Sequence, residues 1–192
     1  LTIYYFSADN EVIYVRSSYI VVEEGDFITT NSLIEIKHKG KDTTLSFSSQ
    51  NEDVLSFRSE GNNFEAKKGG QGQIIVTTSN KRYSTLVIDV LVCDGSAEYP
   101  YVITTEAQLR KIGDTTIEGN KYTSDKNYRL GDNISLEVVE EGNWSPIQNF
   151  TGTFDGNFYT ISNVNITDST LKADNYENKF VGFFDKIAYN AT

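Results

Sequence analysis

The side chains that most often carry out chemistry are scarce in this chain of 192 residues. It has one His and one Cys, His38 and Cys93. A Ser–His–Asp triad would have to use His38, which lies between two lysines, and no G-x-S-x-G nucleophile elbow is present. One Cys and one His supply neither a disulfide pair nor a zinc-ligand set. The sequence therefore predicts a protein without catalytic residues or cofactors, and Cys93 is interpreted as a small buried apolar residue.

Acidic side chains outnumber basic ones, with 27 Asp and Glu against 17 Lys and Arg, so the formal net charge is -10. This balance argues against binding nucleic acid through a basic surface. Asp94, Asp132, Glu140 and Glu141 could ligate calcium, but no D-x-[DN]-x-[DN]-G loop surrounds them. No run of about 18 apolar residues occurs. We therefore expect no nucleic acid partner, no metal ion and no insertion into a membrane.

Two kinds of segment could contact a ligand. Trp144, the single tryptophan, could stack on a sugar ring, or it could pack against Pro146 and the segment at residues 94–113. Residues 167–179 form a polar insert and are predicted to protrude as a loop, a common position for binding residues. The candidate ligand-binding residues are Trp144, Tyr99, Tyr101, Asp168, Asp174 and Glu177.

Residues 1–92 have the pattern of a β-rich domain. Short runs of Ile, Val, Tyr, Phe and Thr recur there, separated by Gly, Asn, Asp and Ser. Residues 33–37 and 45–48 alternate apolar and polar side chains, which is typical of strands with one solvent-exposed face. Gly25-Asp26 and Gly69-Gly70 are typical of turns. Regular strands and turns over this length predict a β-sandwich.

The pattern changes at residues 93–96, and a helix is predicted soon afterwards. Thr105 and Gln108 have the spacing of a capping box, and Gly113 is a suitable helix end. A helix of about two turns does not form alone, so it must pack on other elements. The side chains predicted to face a core are Ala107, Leu109 and Ile112.

Beyond this helix the strands become very short, and Gly and Asn separate them closely. This rhythm favours a parallel β-helix, in which each coil turns several times, over a second sandwich. Residues 155–157, Asp-Gly-Asn, are interpreted as a coil corner and not as a ligand site, with Gly156 taking a positive φ.

Three segments of the first half resemble bacterial Ig-like domains of the Big family. They are residues 21–26, residues 45–57 with their serine-rich turn, and residues 61–76, which contain A-K-K-G-G before the last strand. Family members usually have Trp before the serine turn, where this chain has Phe47. The resemblance implies an Ig-like β-sandwich over residues 1–92.

The second half resembles the start of GLUG-type repeat regions of bacterial surface proteins, which also occur in non-catalytic regions of IgA-protease-like proteins. The segments that carry this resemblance are residues 94–103, 105–109, 128–134, 144–147 (W-S-P-I), 150–163 (F-T-G-T-F-D-G-N-F-Y-T-I-S-N) and 180–184 (F-V-G-F-F). The resemblance implies a right-handed β-helix, with residues 94–113 as its cap.

The expected fold class is therefore all-β: an Ig-like β-sandwich at 1–92, then a capped, truncated right-handed parallel β-helix at 93–192 with one short capping helix. The resemblances imply a non-catalytic module of a secreted or cell-surface protein, acting as a stalk or in adhesion. Its expected partners are host or cell-surface glycans or proteins, and as a fragment of a longer protein it is expected to be a monomer. Two alternatives stay open: an accessory region of a larger surface protease or polysaccharide-degrading enzyme, and a carbohydrate-binding module.

Overall fold

The computed structural model describes residues 2–5, 12–38, 44–78, 85–167 and 182–185. The chain divides into two compact units, residues 1–94 and 95–192, two residues after the boundary expected from the sequence. Among the described residues, strand residues far outnumber helical ones. The all-β prediction is therefore confirmed, while the Ig-like and β-helix assignments remain predictions.

The first unit consists mainly of short strands joined by turns. Its described elements are β1 (Thr2–Tyr5), β2 (Val12–Val15), β3 (Tyr19–Glu23), β4 (Phe27–Thr29), α1 (Thr30–Leu33), β5 (Ile34–His38), β6 (Leu45–Ser49), β7 (Leu55–Arg58), β8 (Asn63–Ala66), β9 (Gly70–Thr78) and β10 (Leu86–Cys93).

These strands form three sheets, with the orders β1-β2-β5, β3-β10-β9-β6 and β4-β8-β7. Strand β3 runs parallel to β10, and the other described pairs in this unit are antiparallel. The first five residues of β10 have a period of two: Leu86, Ile88 and Val90 are buried, whereas Val87 and Asp89 are exposed. One face of the four-stranded sheet therefore packs into a core, and the other face is open to solvent.

Side chains from all three sheets meet in a single core. Phe64 lies at its centre, fully buried, with its ring centroid 4.9 Å from that of Phe57. Each fully buried apolar side chain of this size contributes about 1.5–3 kcal/mol relative to an exposed one. The buried core residues are Val15, Ile28, Leu33, Ile34, Val54, Leu55, Phe64, Ala66, Ile74, Val76, Leu86, Ile88, Val90 and Val92.

The short helix α1 is an element that the sequence analysis missed. A strand was expected to start at Leu33, but residues 30–33 form one helical turn and the strand begins at Ile34. The Ser32 hydroxyl donates to the Thr29 carbonyl at 2.7 Å, and the Asn62 side chain donates to the buried Thr30 hydroxyl at 2.6 Å. These hydrogen bonds from polar side chains stabilise the turn. A single turn is too short to show a helical repeat of apolar residues, so the sequence pattern did not predict it.

The second unit is built from very short strands in parallel pairs. Its described elements are β11 (Tyr101–Ile103), α2 (Glu106–Leu109), β12 (Tyr128–Leu130), β13 (Ile134–Ser135), β14 (Phe154–Asp155) and β15 (Ile161–Ser162). They form the sheets β11-β12-β14 and β13-β15, and a parallel bridge joins Ile147 to Phe184. Every described strand pair of this unit is parallel.

Paired residues in these sheets are separated by 26 or 27 positions and are often of the same type. Tyr101 lies beside Tyr128, Tyr128 beside Phe154, and Ile134 beside Ile161. A further ring, Tyr122, stacks on Tyr101 with 5.0 Å between centroids. Successive stretches of chain therefore place similar side chains on top of one another, which fills the interior with a column of aromatic rings.

The capping box at the start of helix α2 is confirmed. The Thr105 hydroxyl accepts from the Gln108 backbone N–H at 3.2 Å, and the Gln108 side-chain oxygen accepts from the Thr105 N–H, also at 3.2 Å. Leu109 and Ile112 are buried as expected, but Ala107 is exposed. The Ala107 prediction was wrong because residues two positions apart point to opposite sides of a helical turn.

Removing the Thr105 hydroxyl tests the contribution of this cap. We expect Thr105→Ala to lower the unfolding free energy of the second unit by about 1 kcal/mol, since a helix N–H loses its acceptor. Urea unfolding followed by Trp144 fluorescence measures this, because Trp144 is the single tryptophan and lies in the second unit. Thr105→Ser is the control and should stay near the parent protein, while equal losses in both variants would contradict the role of the hydroxyl.

The corner at residues 155–157 differs from its predicted geometry. Gly156 has no positive φ; instead Asn157 and Phe158 adopt φ values of 44° and 63°. The Asp155 carboxylate accepts from the Asn157 N–H at 2.8 Å, and the Asn157 side chain donates to the Leu130 carbonyl at 3.1 Å. These bonds hold the Asn in the left-handed region, which Asn tolerates better than most residues. The backbone hydrogen bond, assisted by Arg129, holds the pKa of Asp155 below its usual value.

Candidate functional site

Trp144 lies in the core of the second unit and offers no ring face to a sugar. It is 2% exposed, and its ring stacks on Phe183 with 4.5 Å between centroids. Its indole N–H donates to the Phe183 carbonyl at 3.0 Å, and the guanidinium carbon of Arg110 lies 5.7 Å from the ring centroid. The stacking role predicted for Trp144 is corrected here: both the ring and its polar atom already have partners inside the fold.

The two tyrosines predicted with Trp144 have different surroundings. Tyr101 is 3% exposed and its ring contacts Tyr122 and Tyr128, so it belongs to the aromatic column and cannot receive a ligand. Tyr99 is half-buried, and its hydroxyl donates to the Glu98 carboxylate at 3.0 Å. The other predicted candidates, Asp168, Asp174 and Glu177, lie outside the described residues.

The structure does not assemble a metal centre from the acidic candidates. Within the part of the chain that is described, no three or more His, Cys, Asp or Glu side chains are grouped as metal ligands. Cys93 is fully buried at the end of β10, which confirms its interpretation as a small apolar residue. Among the described helices, none has the length and apolar character that crossing a membrane requires.

A groove that sequence reasoning missed lies on the solvent-exposed face of the sheet β3-β10-β9-β6. It has a volume of about 650 Å³ and is open on one side. We call it the Tyr19 groove, and its lining residues are Tyr19, Gln50, Asn51, Gln71, Gly72, Gln73, Asp89 and Val90.

Strand register brings these distant residues into one row. Asp89 on β10 pairs with Tyr19 on β3 and with Gln73 on β9. The Gln50 backbone N–H, directly after β6, donates to the Gln73 carbonyl at 3.0 Å. The row therefore crosses all four strands of the sheet. Since neighbouring strands are about 4.8 Å apart, it is roughly 14 Å long.

Most of the described residues that line the groove have polar side chains, and one of them, Asp89, is charged. The Gln73 side-chain amide donates to the Asp89 carboxylate at 2.7 Å, and the Asn51 amide lies 3.5 Å from the Gln71 carbonyl. Partial burial, followed by the nearby Cys93 and Asp89 groups, raises the pKa of the Tyr19 phenol above its usual value. At neutral pH the phenol is therefore protonated and uncharged, and it can both donate and accept a hydrogen bond.

A second recess of about 500 Å³ also lies in the first unit. Its lining mixes apolar core-edge side chains with one acid and one base, and the Thr30 hydroxyl inside it already accepts from Asn62. The residues around it are Arg16, Thr30, Asn31, Ile34, Glu35, Leu45, Phe47 and Asn62.

Comparison with known proteins gives one partial similarity. No family model matches the chain. The chain is 34% identical over 82 residues, 40% of its length, to Halomucin of Haloquadratum walsbyi. It spans about 1% of the length of that protein.

Proposed function

We propose that this chain is a non-catalytic module of a secreted or cell-surface protein, where it acts as a stalk or as part of an adhesive region. The observation that carries the proposal is the stack of parallel rungs in the second unit, with like residues paired at intervals of 26 or 27 positions. The surface location is supported by the similarity to Halomucin.

The second unit is proposed to be the start of a right-handed β-helix. In such arrays each coil buries its apolar side chains against the next, so length grows by adding coils along one axis. A first coil has open strand edges, and helix α2 lies directly after its first strand, β11. Arg110 links this helical segment to later coils, since its guanidinium donates to the Asn143 carbonyl at 2.7 Å while pairing with Glu106.

The first unit is proposed to be an Ig-like sandwich. Its four-stranded sheet and the sheet β4-β8-β7 contribute side chains to one core, as the two sheets of a sandwich do. Domains of this kind serve as rigid spacers in extended proteins. The excess of acidic residues, 27 against 17 basic, favours solubility and disfavours non-specific contacts with polyanions.

Labelling of intact cells tests the proposed location. Antibodies raised against this chain should label unpermeabilised cells of the organism that makes it, or detect the protein in the culture medium. Brief protease treatment of intact cells should remove the label, while an antibody to a ribosomal protein should react only after lysis. Reaction of both antibodies only after lysis would contradict a secreted or surface module.

A further inference from the structure

We propose that the Tyr19 groove binds a neutral oligosaccharide, with the Tyr19 ring as the stacking platform and the surrounding amides as hydrogen-bonding partners. This inference goes beyond the proposed stalk function and does not depend on it. It also assigns binding to residues of the first unit, none of which belongs to the ligand-binding candidates predicted from the sequence.

Tyr19 supplies the apolar contact that a sugar ring needs. It is 52% exposed, although it belongs to a strand within a paired sheet. The C–H groups on one face of a pyranose ring pack against aromatic rings, and tyrosine combines such a surface with a polar end. The Tyr19 backbone is fixed by pairing with β10 and by the contact of its N–H with the Ser17 hydroxyl at 3.3 Å. The platform is therefore held on a rigid element before a ligand arrives.

The amide side chains match the hydroxyl groups of a saccharide. Gln50, Asn51 and Gln71 are exposed, and each carboxamide has two donor hydrogens and one acceptor oxygen. In the described part of the chain, the side chains of Gln50 and Gln71 form no hydrogen bond with the protein. Sugar hydroxyls both donate and accept, so they can use donors and acceptors of the same amide.

The charge of the groove and its place on the sheet restrict the chemical class of ligand that it can bind. Among the described residues that line the groove, Asp89 is the single charged one, and none is Lys, Arg or His. A sulfated or phosphorylated ligand would place its anion beside this carboxylate without a cation to pair with. The groove also lies on the face of the sheet, where the backbones of β9 and β10 are already paired. An extended peptide therefore cannot add to β9 or β10 as a new strand.

The size of the groove fits a short chain of sugars better than one ring. Its volume of about 650 Å³ lies within the range typical of small-molecule sites. The row from Tyr19 across Asp89 and Gln73 to Gln50 extends over four strands. A ligand stacked on Tyr19 at one end therefore reaches the amides at the other only if it is an oligosaccharide.

Titration of the full chain with defined oligosaccharides tests the proposal. The probes are cellotetraose, mannotetraose, maltotetraose and chitotetraose, each followed by two-dimensional NMR up to about 10 mM, where millimolar affinities are detected. A heparin-derived tetrasaccharide is the anionic counter-probe. We expect at least one neutral probe to shift the amide signals of the groove residues, and the anionic probe to leave them unchanged.

Three variants assign the binding to the groove. Tyr19→Ala should weaken binding at least about tenfold, while Tyr19→Phe, which keeps the ring, should stay within about threefold. Gln71→Ala removes an exposed amide without touching the core, and it should weaken binding by a few fold. Tyr159→Ala is the matched control, since Tyr159 is a partly exposed tyrosine of the second unit.

Several results would overturn the proposal. These are the absence of shifts with every neutral probe, binding of the anionic probe alone, and unchanged affinity in Tyr19→Ala. Loss of binding in Tyr159→Ala with retention in both Tyr19 variants would move the site to the second unit. If Tyr19→Ala lost its native NMR spectrum, the Gln71→Ala and Tyr19→Phe measurements would still decide the question, since both keep the sheet packing.

Discussion

Replacing Gly152 with alanine is expected to prevent the second unit from folding stably. A Cβ added at Gly152 would lie 1.8 Å from the Lys126 carbonyl oxygen and 2.8 Å from its carbon, both backbone atoms. The backbone on each side cannot easily move, because the Gly152 and Thr151 N–H groups both donate to the Ser124 carbonyl. The clash therefore requires two stretches of backbone to separate, at a cost of more than about 3 kcal/mol.

Gly156→Ala provides the matched control for this variant. It lies four residues away in the same unit, has no positive φ, and its added Cβ would meet its nearest atom, the Tyr159 carbonyl oxygen, at 3.9 Å. Urea unfolding monitored by Trp144 fluorescence should show a normal transition for Gly156→Ala and a strongly shifted or absent one for Gly152→Ala. Equal stability of the two variants would mean that the chains at residues 126 and 152 are not in close contact.

The sequence shows Gly152 and Gly156 between short strands, but it does not show which of the two tolerates a larger side chain less. Gly156 was interpreted as part of a coil corner. A glycine can be needed for its φ or for close approach of another backbone, and only the second reason applies to Gly152. The approaching carbonyl belongs to Lys126, 26 positions earlier, so the requirement depends on the register between successive stretches of chain. Local patterns carry no information on that register.

Features that depend on neighbouring residues could be predicted from the sequence, whereas features that depend on contacts with distant segments could not. The alternation in β6 and the capping box of α2 depend on neighbouring residues, and both were predicted from the sequence. The burial of Trp144 depends on Arg110 and Phe183, which come from distant segments. In β11, Tyr101 and Ile103 are buried and Val102 between them is partly buried. Because all three side chains are apolar, the sequence showed no alternation that would have marked Tyr101 as a core residue.

The Tyr19 groove is the clearest example of a feature that local sequence patterns could not predict. Its residues come from four strands or their ends, and the sequence analysis placed none of them in a site. Most are polar side chains on the exposed face of a sheet. Polar side chains on such a face are ordinary. They become a candidate site only once the register places Tyr19, Asp89 and Gln73 side by side, and this pairing includes a parallel contact between β3 and β10 that the sequence does not indicate.

Asn143 is expected to be the side chain whose polar contacts contribute most to the second unit. It is 9% exposed, and its amide donates to the Glu137 and Asn163 carbonyls, each at 2.7 Å. Its side-chain oxygen accepts from the Asn165 N–H at 2.7 Å. Asn143→Ala leaves two carbonyls and one N–H without these partners. At about 1 kcal/mol for each lost bond, we expect a loss of roughly 3 kcal/mol in unfolding free energy.

Asn165→Ala is the matched control, because Asn165 joins the same network through its backbone while its side chain is exposed. It should unfold nearly as the parent protein does when followed by Trp144 fluorescence.

Asn143→Asp tests the same contacts through the direction in which stability changes with pH. An ionised carboxylate can still accept from Asn165, but it faces two carbonyl oxygens, so folding raises the pKa of the introduced acid. The variant should therefore be closest to the parent below about pH 4 and lose stability as the pH rises through its folded-state pKa. A loss of stability independent of pH would mean that residue 143 does not face those two carbonyls.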